Sequence, residues 1–181
     1  MSTLLESMEQ YRGEMTQWFE HMHRNPELSM QEEKTAKFIA DTVSQWGYEV
    51  ETGVGKHGIV ASLKVGDSDK AIGLRADFDA LPIQEDNDLA YKSETEGIAH
   101  LCGHDGHTTM LLAAGKHLAE TKNFNGTVRL IFQPGEETME GGPAMIEDGL
   151  FERFPVDAIF GMHNMPGLER GKLYFSYGDV M

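Results

Sequence analysis

Four short segments concentrate the residue types that carry acid–base and metal chemistry. The densest is His100-Leu-Cys-Gly-His-Asp-Gly-His107, with three histidines, a cysteine and an aspartate in eight residues. Thiolate and imidazole are good ligands for zinc and related transition metals, and the two glycines permit a tight backbone path. Plainer uses exist: Asp105 or Thr108 capping a following helix, or Cys102 as an inert buried thiol. A Cys–His nucleophile is a further option, although sequence neighbours rarely make such a dyad. The density of the cluster favours metal.

The second segment, Leu74-Arg-Ala-Asp-Phe-Asp-Ala-Leu-Pro82, ends an apolar run with Asp77 and Asp79 two residues apart. In an extended chain both point to one face, where the pair can bind a metal or orient a ligand. The alternative is a turn before Pro82 with Arg75 as a salt-bridge partner. The third, Phe132-Gln-Pro-Gly-Glu-Glu-Thr138, sets Glu136 and Glu137 in a loop after a strand. One of two such carboxylates can ligate a metal while its neighbour serves as general base toward water; an acidic turn cornered by Pro-Gly is the competing use. The fourth, Gly161-Met-His-Asn164, places His163 at a strand terminus, well placed for a ligand, although a single histidine there is more often structural. Together the four inventories fit metal-assisted hydrolysis best.

These segments need elements to position them. Residues 3–24 carry Met15, Trp18 and Met22 at helical spacing, and Asn25-Pro26 ends that helix. Ser29 and Glu32 have the spacing of a capping box for a second helix, whose apolar face is Thr35, Phe38, Ile39, Val43 and Trp46 and which Gly47 closes. Tyr48–Thr52, Ile59–Val65 and Ala71–Ala76 have strand character, with Gly66-Asp-Ser-Asp69 as a hairpin turn between the last two. Thr108–Thr121 is expected to be helical, Thr127–Gln133 a strand, Gly142–Leu150 a short helix, and Ala158–Met162 and Leu173–Tyr177 strands. The alternation predicts an α/β fold, a layered mixed β-sheet flanked by helices. Loops beyond the carboxyl ends of strands build the sites of such sheets, and the polar clusters are read as following strands.

Bulk properties narrow the function. The chain of 181 residues has a net charge of −15, which argues against nucleic acid and anionic membrane surfaces as partners. No apolar run approaches the roughly 20 residues that span a bilayer, and the acidic start lacks the plan of a secretory signal. A cytoplasmic location is expected. One cysteine excludes an intramolecular disulfide.

In this order the motifs resemble the aminoacylase and hippurate-hydrolase branch of the M20 metallopeptidase family. The similarity runs from His23-Arg-Asn-Pro-Glu-Leu-Ser29 through Leu74–Pro82, His100–His107 and Gln133–Glu137 to Gly161–Asn164. The resemblance implies a zinc-peptidase-like catalytic domain that hydrolyses the amide bond of N-acyl amino acids, hippurate-like or N-acetylated. It implies Cys102, His104, Glu137 and His163 as metal ligands and Glu136 as the general base. Asp77 matches the aspartate that orients a metal-binding histidine in the wider family, a histidine replaced here by Arg75. Two divalent ions per complete site are implied, with zinc, manganese, cobalt and nickel all open. Family members are longer. Residues 1–181 are therefore expected to be the amino-terminal portion of the catalytic domain, without the lid and dimerisation domain on which a homodimer or tetramer would depend. A truncated, inactive metal-binding or interaction module is the alternative function.

Overall fold

The computed structural model describes residues 4–169 and 171–175. Helix α1 (Leu4–Met8) runs through a 3₁₀ turn (Glu9–Tyr11) into α2 (Arg12–Arg24), followed by α3 (Glu33–Ser44). Strands β1 (Glu49–Val54), β2 (Gly58–Val65) and β3 (Ala71–Asp77) come next, then a long loop and α4 (His104–Thr121). The order closes with β4 (Gly126–Gln133), α5 (Gly141–Glu147), α6 (Leu150–Arg153) and β5 (Ala158–Gly161). One mixed sheet has the order β1-β2-β4-β3-β5, antiparallel on the β1 and β2 side and parallel among β4, β3 and β5. This is the layered α/β architecture the alternation predicts.

The two-residue period of the strands divides the core into two layers. Ile59, Ala61, Val128, Leu130 and Phe132 face a cluster that includes Trp18 and Met22 of α2, Ile39 and Val43 of α3, and Leu112 of α4. Val60 and Ile131, pointing the other way, pack on Met145 of α5 and Leu150 of α6. Helix α4 lies close on the sheet because it carries Gly115, where an added Cβ would stand 2.5 Å from Leu130 Cδ1. The parallel register of β3 with β4 and β5 brings the carboxyl ends of all three strands to one edge. That edge carries the site.

Five local expectations are corrected. Gly66–Asp69 is no hairpin turn, because β4 inserts between β2 and β3 and pairs with both. The segment is a longer-range connection whose Asp67 and Ser68 amides are capped by Asn125 Oδ1, which local sequence cannot reveal. Ser29 and Glu32 form no capping box: α3 begins at Glu33 with no side-chain cap from Glu32. The carboxylate of Glu27, farther back in the chain, accepts from the Lys34 and Thr35 amides instead. Helix α4 starts at His104 rather than Thr108, directly after Gly103 in the left-handed region at φ 93°. Its first buried face is polar (His104, His107, Thr108), so the usual apolar period is missing. The predicted helix Gly142–Leu150 is split at Gly149, φ 82°. Of the expected strand Leu173–Tyr177, residues 173–175 are not strand and the remainder lies outside the described residues.

Candidate metal centre

The carboxyl ends of β3, β4 and β5 and the amino end of α4 converge on the His104 ring, which is fully buried. Nδ1 of His104 lies 3.0 Å from Asp79 Oδ1. A carboxylate only accepts, so the proton sits on Nδ1 and the Nε2 lone pair faces inward. That Nε2 has no hydrogen-bond partner. Around it stand Glu137 Oε1 at 3.7 Å, Glu136 Oε2 at 3.8 Å and Asp77 Oδ2 at 3.9 Å. Glu137 Oε1 is likewise buried without a partner.

His163 repeats the arrangement. Its Nδ1 is 2.5 Å from the Asn164 carbonyl, which fixes the proton there, and its Nε2 lies 3.4 Å from Cys102 Sγ. Ligand atoms from Cys102, His104 and His163 lie within 4.8 Å of one another, as do those from His104, Glu136 and Glu137. Donors around one tetrahedral zinc stand roughly 3.3–3.7 Å apart, given metal–ligand distances near 2.0–2.3 Å. Two imidazoles turned by their Nδ1 protons, a thiol, and carboxylates at these spacings fit a divalent cation. Both sets draw on His104 Nε2, whose single lone pair can serve one ion.

Electrostatics agree with the geometry. Burial raises the Asp79 carboxyl, but the hydrogen bonds from His104, Ser29 and the Glu137 amide outweigh it and hold the group at about 2. Burial also opposes ionisation of Asp77, yet the hydrogen bond from His107, the His104 ring whenever it is protonated, and the charge of Arg75 keep it low. Both aspartates are therefore anions at neutral pH. Burial pushes the Cys102 thiol up to about 12, reinforced by the carboxylates of Glu137, Glu136 and Asp77. A thiol surrounded by anions ionises only beside a cation.

The predicted site residues Cys102, His104, Glu136, Glu137, His163 and Asp77 thus come together from four separate segments. Asp77 does not itself hold the ring of His104. Its Oδ1 takes His107 Nδ1 at 2.6 Å and its Oδ2 takes Arg75 Nη1 at 2.6 Å, and the ring of His104 is held by Asp79. Sequence reasoning left several supporting residues without a role. His107 Nε2 accepts from the Asn164 amide at 3.0 Å, which ties the residue after His163 to α4. Ser29 Oγ donates to Asp79 Oδ2 at 2.6 Å. His23 bridges Asp105 Oδ2 at 2.7 Å and Glu85 Oε1 at 3.1 Å behind the first turn of α4. The resemblance at His23–Ser29 pointed to that segment, whereas Glu85 carried no signal. His100 is buried outside the ligand groups, and burial pushes it down to about 4.

Residues 73–178 match the peptidase family M20/M25/M40, and the chain belongs to that family. It is 53% identical over 170 residues to the hippurate hydrolase of Campylobacter jejuni, an alignment covering 94% of this chain and 44% of that protein. It is 38% identical over 176 residues to the N-acyl-L-amino acid amidohydrolase of Geobacillus stearothermophilus, covering 96% of this chain and 47% of that one. The Bacillus subtilis YXEP protein, described as a dinuclear metal binding peptidase, superposes with a TM-score of 0.82 at 38% identity, over 88% of this chain and 45% of that structure. The chain spans about half the length of the relatives it matches. Among the described residues no helix is long and apolar enough to cross a membrane.

Proposed function

We propose that these residues form the metal-bearing part of an amidohydrolase site that cleaves the amide bond of N-acyl amino acids, in a polypeptide that supplies the remaining length of the relatives. The observation that carries the proposal is the pair of histidines, His104 and His163, each with its Nδ1 proton engaged and its Nε2 turned toward further donors. Cys102, His104, Glu137 and His163 are the proposed ligands. A divalent cation bound there supplies Lewis acidity toward the amide carbonyl and lowers the pKa of water.

Glu136 is the proposed general base. Its side chain is 40% exposed at the mouth of the centre, against 22% for Glu137, so it reaches both solvent and the donors. Its carboxylate takes the proton of the attacking water and passes it to the departing amine nitrogen. Asp79 holds His104, and Asp77 with Arg75 holds His107. The substrate class follows the similarity to hippurate hydrolase and N-acyl-L-amino acid amidohydrolase. The 181 residues are read as the amino-terminal portion of the catalytic domain, with any dimerisation element contributed from elsewhere.

Metal content after dialysis against trace zinc or manganese, measured by elemental analysis, tests the centre. Hydrolysis of N-benzoylglycine by the longer protein tests the chemistry. Near-stoichiometric metal that is lost on Cys102→Ser, together with turnover, is the expected result. A folded protein that takes up no metal would sink the proposal. Metal without turnover of any N-acyl amino acid would instead favour a binding module.

A further inference from the structure

Glu32 is a carboxyl group with no exposure to solvent, and nothing in helix formation explains it. Burying such a group is unfavourable unless its oxygens are used. One oxygen is used twice: Oε1 accepts from the Met30 amide at 2.8 Å and from the Gly135 amide at 2.8 Å. The other, Oε2, is buried and has no partner. A single acceptor atom therefore joins two loops that are 105 residues apart in sequence at Met30 and Gly135. The loops are in direct contact, because a Cβ at Gly135 (φ 54°) would stand 2.6 Å from Met30 Sδ.

The second loop is held again two residues on, this time by Asp79. The Glu137 amide donates to Asp79 Oδ2 at 3.0 Å, the oxygen that also takes Ser29 Oγ. The two anchored amides, Gly135 and Glu137, flank Glu136. With both ends pinned, the backbone between them has little freedom left, and the directions of the Glu136 and Glu137 side chains follow from it.

We infer that Glu32 is a positioning residue: through the Gly135 amide it fixes the loop that aims Glu136 and Glu137, touching neither metal nor substrate itself. The inference rests on the proposed roles of those two glutamates. Burial, opposed by hydrogen bonds from its own amide and from those of Gly135 and Met30 and assisted by the charge of Asp79, raises the Glu32 carboxyl. A glutamine side chain keeps an oxygen acceptor for the two amides, whereas a leucine removes it.

The test compares Glu32→Gln with Glu32→Leu in the longer protein. Zinc affinity is measured by competition with a chromophoric chelator, and amide hydrogen exchange is followed at Gly135 and Glu137. Glu32→Gln is expected to bind zinc within about threefold of wild type with both amides still protected. Glu32→Leu is expected to lose roughly ten- to a hundredfold in affinity, the usual penalty for removing support behind ligands, with faster exchange at Gly135. A folded Glu32→Leu protein with unchanged affinity and unchanged Gly135 protection overturns the inference. If Glu32→Leu does not fold, Glu32→Ala replaces it: weaker zinc binding with faster exchange at Gly135 supports the role, and unchanged Gly135 protection, with or without a loss of affinity, overturns it. Wild-type protein that takes no zinc defeats the proposed function, while exchange at Gly135 in the variants still reads the role of Glu32.

Discussion

Asp79 holds Nδ1 of His104 on one carboxylate oxygen, 3.0 Å away, and the amide of Glu137 on the other, also at 3.0 Å. One buried anion thereby sets the tautomer of one proposed ligand and the backbone of another. Asp79→Ala removes both contacts and leaves the Ser29 hydroxyl without its acceptor. Zinc affinity should fall by about ten- to a hundredfold, in line with losses seen when partners behind ligands are removed. Competition titration against a chelator reads this directly. Affinity within twofold of wild type would show that His104 is oriented by something else.

Much of this site is legible in the sequence, because ligand chemistry restricts residue types strongly. The clusters that hold Cys102, His104, Glu137 and His163 stand out by residue type, while the choice of these four within them comes from the resemblance to the M20 family. What supports them is not legible in the same way. Glu32 and Ser29 have the spacing of a capping box, and only the tertiary contact with Gly135 and Asp79 shows a different use. Glu85 is an unremarkable acid in a polar loop until His23 is placed against it. In the fold, strand identity follows from alternation, but the insertion of β4 between β2 and β3 is a pairing choice that local pattern does not encode. The start of α4 was hidden because its buried face is made of site residues.

His23 gives a stability signal with a defined sign. The hydrogen bond to Asp105 raises its pKa above the ordinary 6.5, burial opposes this, and Glu85 adds to it. The groups facing the ring are Asp105 from α4, Glu85, His100 and Tyr91. An imidazolium donates to both carboxylates, whereas a neutral ring donates to only one. Because the folded pKa is raised, the stabilisation is complete below about pH 6.5 and is lost as pH rises through the folded value. The gap in urea midpoint between wild type and His23→Gln should be widest below about pH 6.5 and narrow as the pH rises above that value. A gap that widens with pH would mean the ring is held neutral.

Gly115 and Leu130 test the packing of α4 on the sheet. Leu130 has no solvent exposure, and truncation to alanine should cost about 2–5 kcal/mol. Gly115→Ala within a helix would ordinarily stabilise by roughly 0.5–1 kcal/mol, but the added methyl meets Leu130 Cδ1 at 2.5 Å. It should therefore destabilise the wild-type background and become neutral or favourable in Leu130→Ala. A double-mutant cycle by chemical denaturation measures that coupling. Additive effects would mean that the helix shifts freely to admit the methyl.

Glu136 and Glu137 are adjacent in sequence and both close to His104 Nε2, at 3.8 and 3.7 Å, so proximity alone does not assign their roles. Their surroundings differ. Glu137 has a buried oxygen without a partner, and its amide is fixed on Asp79, as suits a ligand. Glu136 is the more open of the two, as suits a group that exchanges protons with water and a departing amine. Glu136→Gln should keep zinc affinity within a few-fold and lower kcat by about 10²–10⁴, the usual contribution of general acid–base catalysis. Glu137→Gln should weaken zinc binding first and lose turnover as a consequence, with partial recovery at raised zinc concentration. Chelator competition and steady-state hydrolysis of N-benzoylglycine, run on both variants, separate the two patterns. If Glu136→Gln lost the metal while Glu137→Gln kept it, the assignments of base and ligand would have to be exchanged.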